Sequence, residues 1–145
     1  MRPMTRKYRY RKVEAEAGYK AVPTIESFGF VHIERILRQA ARLVRRGWIK
    51  GPQARNRKGD VCYPASRHAC EWSLTGALVR ASLKRPDFNQ VTKIKMFWTA
   101  MDHVRQHLKA THSFDGVAVE TWNNLDETTE DDVVGVLRGT AALIK

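Results

Sequence analysis

The chain has only two cysteines, Cys62 and Cys70, in 145 residues. That is too few for the disulfide framework of a small secreted domain, so reduced thiols are expected. Also missing is any apolar run near the ~20 residues that a membrane-spanning helix needs, and the N-terminus lacks the apolar core of a secretory signal. A soluble, cytoplasmic protein without a membrane partner is the expectation. Neither a glycine-rich phosphate loop, G-x-S-x-G nor H-E-x-x-H occurs. Catalysis therefore has no positive support, and no cofactor is implied. Acidic residues are scarce at one end only. Residues 1–58 hold 16 Lys/Arg against 4 Asp/Glu, residues 59–112 hold 8 against 4, and residues 113–145 hold 2 against 7. The formal charge of +11 is an N-terminal property. Such asymmetry points to a polyanionic partner: nucleic acid, DNA or RNA, or an acidic protein or ribonucleoprotein surface.

What is present fits one domain. A hydrophobic content of 43% is enough for a core at this length. Residues 1–23 read as a basic arm and linker, in which Arg6, Lys7, Arg9 and Arg11 surround Tyr8 and Tyr10. Like charges repel there, so the arm is expected to be disordered in isolation. Residues 24–145 read as a single helical domain. In "IERILRQAARLVRRGWIK", Ile33, Ile36, Leu37, Ala40 and Val44 recur at helical spacing, which predicts a helix over 30–46 stopped by Gly47. At 100° per residue, Arg35, Arg38, Arg42, Arg45 and Arg46 form a ridge opposite that apolar stripe.

Residues 47–68 read as a long basic loop with a short extended piece at 61–63, carrying Arg55, Arg57 and Lys58. A second helix is expected over 68–84, with Cys70, Leu74, Ala77, Leu78 and Ala81 buried and Gly76 admitting a neighbouring helix. The third, over 89–110, has a stripe of Ile94, Phe97, Trp98, Met101, Val104 and Leu108, which makes it the expected central helix. After an irregular stretch, extended near 117–121, the last helix is capped by Thr128 or Thr129, with acids 130–132 at its positive end.

The Arg ridge, the arm and the Arg55, Arg57, Lys58 loop carry the functional signal. A basic face opposite a core is ordinarily a solvated face, but these flanks are also basic and Glu34 is the only acid nearby. Guanidinium groups on successive turns suit phosphate contacts and counterion release. His103 and His107 have metal-ligand spacing, as do Cys62, His68 and Cys70 in part, but neither set has a completing ligand, so no metal is expected. Cys70 reads as packing. Trp122 reads as a core plug beside an Asx-type turn, the alternative being a polar pocket lined by Trp48, Trp72, Trp122 and Asn123.

The order "RRGWIKG", "CEWSLTGALVRA", "TWNN", "TTEDDVVGVL" resembles a bacterial and phage domain family of unknown function. The matching residues are Trp48 and Gly51, then Gly76, Ala77 and Leu78, then Trp122 and Asn123, then Thr129, over about residues 33–145. Two positions depart from that pattern: Ser73, where it often has Cys, and Asn124, where it has Asp. The resemblance implies a small helical domain and no reaction. The expected fold is mainly α, a bundle of four principal helices with room for a short β-hairpin from the Val61 and Val117 regions. The expected function is non-enzymatic nucleic-acid binding through the phosphate backbone. The alternative is an accessory protein docking on a larger protein or ribonucleoprotein machine, such as an inhibitor of host defence.

Overall fold

In the computed structural model, which describes residues 29–116 and 118–144, the arginine-bearing segment forms helix α1 (Phe30–Arg46) with the bounds its periodicity predicts. There follow β1 (Ala54–Asn56), β2 (Ala69–Trp72), α2 (Leu74–Leu83), α3 (Gln90–His112), the short α4 (Val119–Asn123) and α5 (Glu130–Leu143). The fold is thus mainly helical with one antiparallel strand pair. The basic arm lies outside the described residues.

Helix α1 buries His32, Ala41 and Leu43 besides the five stripe residues, an arc of about 180° at 100° per residue. With half its circumference apolar it takes neighbours on both sides, packing on α2, α3, α5 and β2. Each fully buried Ile or Leu of this arc stabilises the fold by roughly 1.5–3 kcal/mol. Helix α1, rather than α3, is therefore the central helix. The first half of α3 buries Thr92, Met96 and Ala100, and its second half Met101, Val104 and Leu108. Ile94 and Trp98, assigned to the core by the sequence pattern, are 45% and 51% exposed. A helix that crosses its neighbours buries different faces along its length, so one best-fit stripe misplaces one end.

The second helix begins later than expected. Residues 69–72 are strand, paired antiparallel with β1 as Ala54↔Trp72, Arg55↔Glu71 and Asn56↔Ala69, with a bulge between Arg55 and Asn56. On its other side, the Trp72 N–H donates to Gly47 O (2.8 Å) and the Ile49 N–H donates to Trp72 O (3.3 Å). With its backbone groups satisfied laterally, the segment stays extended. Helix α2 starts where Ser73 supplies an N-cap, its hydroxyl accepting from Gly76 N at 3.1 Å. Two glycines permit this assembly. A Cβ at Gly47 would stand 2.4 Å from Cys70 O, and one at Gly76 would stand 1.8 Å from Gln53 O. Gly47 caps α1 in an extended conformation, so close approach is what selects it. Gly76 admits the backbone of Gln53, just before β1, rather than a neighbouring helix.

The extended piece near Val61 pairs with Arg55 in an isolated antiparallel bridge. Between them, Asn56 Oδ1 accepts from the backbone of Lys58 (2.9 Å) and Asp60 (3.0 Å), and Gly59 takes the positive φ that the turn needs. The hairpin partner of β1 is β2, and Val117 lies outside the described residues. Where extension was expected near 117–121, residues from Val119 onward form α4. Helix α5 has the expected Thr129 cap, completed as a capping box by Asp132.

Candidate functional site

Three of the four segments that carry the family resemblance meet at Asn123, which is fully buried. Its Oδ1 accepts from Trp48 Nε1 (2.9 Å) and from Leu74 N (3.1 Å), and its Nδ2 donates to Ile49 O (3.2 Å) and Asn124 Oδ1 (3.1 Å). Asn124 Oδ1 also accepts from Gly51 N (2.8 Å). One amide therefore fastens the 48–51 segment to the start of α2 and the end of α4. Both ends of the Asn123 amide are engaged, which makes it a staple. Trp122 is buried against His112, their ring centroids 5.3 Å apart, and Trp72 donates its indole N–H to Pro64 O at 3.1 Å. Of the four residues considered for a polar pocket, Trp72 alone lines the large cavity described below. Ser73, besides capping α2, donates to Glu120 Oε2 at 3.0 Å. Glu120 Oε1 is buried and makes no hydrogen bond of good geometry among the described residues, and burial pushes this carboxyl up from its ordinary pKa, opposed by the Ser73 hydroxyl and by the nearby hydroxyl and N–H of Thr75.

On the other side of β2 lies a basin of about 840 Å³. Arg46 reaches it from the end of α1, Arg57 and Lys58 from the Asn56 turn, Arg67 and His68 from the segment before β2, and Arg80 from α2. Among the described residues Asp60 is the one carboxylate in its lining. Its floor includes Cys70 and Trp72 of β2. Two contacts hold the loop wall. The Arg80 guanidinium lies over the Trp72 ring, 5.3 Å from its centroid, and donates to Ser66 O at 2.6 Å, while Trp72 holds Pro64 as above. His68 N donates to Ser66 Oγ at 3.1 Å. Among the described residues Arg46, Arg57, Lys58 and Arg67 make no ion pair with a carboxylate.

The rest of the predicted ridge is partly neutralised within the chain. Arg38 Nε pairs with Glu34 Oε2 at 2.9 Å, and Arg42 donates to Gln39 Oε1 at 2.7 and 3.1 Å. Arg45 Nη1 bridges Asp131 Oδ1 (2.6 Å) and Glu130 Oε2 (3.0 Å) at the start of α5. Arg35 is exposed beside the half-buried Arg85, whose pKa is lowered first by burial and then by the Arg35 charge. Arg55 is half-buried in β1, its Nε without a hydrogen-bond partner among the described residues. Of the sequence-predicted cations, the structure brings Arg46, Arg57 and Lys58 together, and it adds Arg67, His68 and Arg80. Arg67 and His68 share the basic character of the 47–68 loop, whereas Arg80 lies on α2 and carries no separate sequence signal; a helix over 68–72 would not group them.

His103 stands edge-on to Phe30 at 5.9 Å, and His107 lies against Gly139. Both cysteines are free thiols. Among the described residues no three His, Cys, Asp or Glu side chains are grouped so as to hold a metal ion, and no helix is long and apolar enough to cross a membrane.

Fold and site together define a mainly helical, basic domain whose conspicuous feature is this cationic basin. The model of a family of unknown function, DUF6197, matches residues 31–143, and the chain belongs to that family. No curated protein and no solved structure matches it.

Proposed function

We propose that the protein is a non-enzymatic nucleic-acid-binding protein that engages phosphate groups in the basin. The reading is carried by one observation: five Arg or Lys side chains and His68, drawn from four segments, converge on one cavity in which, among the described residues, Asp60 is the single carboxylate. Arginine donates in a planar fork matched to phosphate oxygens, and lysine adds a point charge. Arg35 and Arg42, exposed on α1, extend the cationic surface beyond the basin. No base-reading arrangement is part of this proposal.

Binding dominated by backbone contacts responds to salt. With about four phosphates neutralised, affinity falls roughly a hundredfold between 50 and 200 mM salt. Fluorescence anisotropy with labelled DNA and RNA measures this. The double variant R57E/K58E, on an exposed turn, should weaken binding to every sequence and flatten the salt slope. If nuclease-treated protein shows no salt-sensitive retention of DNA or RNA, the reading is lost. An acidic protein partner bound through the same cations then becomes the explanation of the surface.

A further inference from the structure

We infer that the basin receives a terminal phosphomonoester, the phosphorylated end of a nucleic-acid strand, in preference to an internal phosphodiester. This deepens the reading above and rests on it. The argument is one of shape and charge. Contacts to the side of a duplex or an extended strand need a cationic ridge or groove that tracks the backbone, and the α1 ridge is where such contacts were expected. Its middle, however, is partly paired within the chain: Arg38 with Glu34, and Arg45 with Glu130 and Asp131. Arg46, Arg57, Lys58 and Arg67, which have no carboxylate partner among the described residues, are instead gathered in a concavity of about 840 Å³, a size typical of pockets that enclose small ligands.

The donors reach this space from the C-terminal end of α1, the Asn56 turn, the 67–68 segment and α2. A diester in mid-strand carries one negative charge, offers two free oxygens and continues in both directions. A monoester carries about −1.5 to −2 at pH 7 and offers three acceptor oxygens with one attachment, so donors on several sides can reach it at once. The donor supply matches: each guanidinium brings five N–H groups and Lys58 three. The Arg80 stack on Trp72 and its bond to Ser66 O hold one wall in place before any ligand arrives, which lowers the ordering cost of binding.

The test compares one short single strand in four forms: 5′-phosphorylated, 3′-phosphorylated, hydroxyl-ended and circular. At about 100 mM salt, the inference expects at least one phosphorylated form to bind about tenfold or more tightly than the hydroxyl-ended and circular forms. It also expects Arg46→Gln and Lys58→Gln to shrink that preference. Adenosine monophosphate is the control for a free nucleotide. If it competes as well as the phosphorylated strand, the ligand is a nucleotide and the strand-end assignment is overturned. Equal affinity for all four strands overturns the end preference while leaving nucleic-acid binding intact. Absence of salt-sensitive binding to every strand removes both. Circular dichroism of the two variants establishes that they are folded.

Discussion

Replacing Asn123 by alanine removes an acceptor shared by Trp48 Nε1 and Leu74 N and a donor to Ile49 O. Leu74 N is a first-turn donor of α2 and Ile49 is buried, so neither is readily satisfied by water. A buried polar group left unpaired costs about 1–3 kcal/mol. Three such groups, one on the half-buried Trp48 where water can reach, give a loss of about 3–6 kcal/mol. Against a total stability of about 5–15 kcal/mol this is a large fraction, and it lowers Tm by roughly 10–20 °C for a domain of this length. Chemical denaturation followed by tryptophan fluorescence measures it. Asn123→Asp separates hydrogen bonding from packing, because its volume is nearly unchanged. Its second oxygen faces Ile49 O and Asn124 Oδ1, so the carboxylate is disfavoured and its folded-state pKa rises above the usual value of about 3.9. Stability of this variant is therefore lost as pH rises through that raised value, and its deficit relative to wild type should be larger at pH 8 than at pH 5. A loss below about 1 kcal/mol for Asn123→Ala would refute the staple, given the costs used here.

Other consequences are equally concrete. Gly76→Ala places a methyl 1.8 Å from Gln53 O, a backbone atom, so despite alanine's better helix propensity of about 1 kcal/mol the net effect is a loss of about 2 kcal/mol or more in denaturant melts. Gly135, where an added Cβ meets nothing within 4 Å, is the control, and G135A should be neutral or stabilising. Glu120 is raised above its ordinary pKa chiefly by burial. It binds its proton more tightly folded than unfolded, so its contribution is favourable at low pH and is lost as pH rises through the raised value. E120Q should remove that part of the pH dependence, and a Tm difference between variant and wild type that is constant from pH 4 to pH 8 would contradict it.

Legibility followed the physics of each segment. Helix α1 was readable to the residue because half of its circumference is apolar and half charged, and α5 because Thr129, its acids and its Val/Leu spacing agree. The sequence pattern starts α2 too early because Cys70 falls on its period. What fixes 69–72 as strand is the Gly47–Ile49 backbone on one edge and β1 on the other, partners distant in sequence. The same non-local pairing decides the site. Arg57 and Lys58 were legible as basic loop residues, whereas Arg67, His68 and Arg80 join them only once β2 runs beneath them as a floor. In α3 the sequence pattern chose the larger apolar side chains. Burial chose Thr92, Met96 and Ala100 in the first half, a choice made by the neighbouring elements.

The uneven charge along the chain now divides into two parts with different meanings. Glu130 and Asp131, in the acidic C-terminal third, sit at the positive end of the α5 dipole and there meet Arg45. That exposed triad is an internal use of opposite charge, worth little to stability and screened by salt. It withdraws Arg45 from any external partner. Arg38 is withdrawn in the same way by Glu34. The basin differs: Asp60, the single acid among the described residues that line it, makes no ion pair with them, and the cations sit over the Trp72 floor within one concave space. Bringing like charges together raises the energy of the unliganded protein unless counterions gather there. An arrangement that concentrates positive charge where the fold could have dispersed it is one whose energy falls when an anion arrives. On the proposed reading, the external part of the charge asymmetry lies in the basin, with Arg35 and Arg42 extending it on α1.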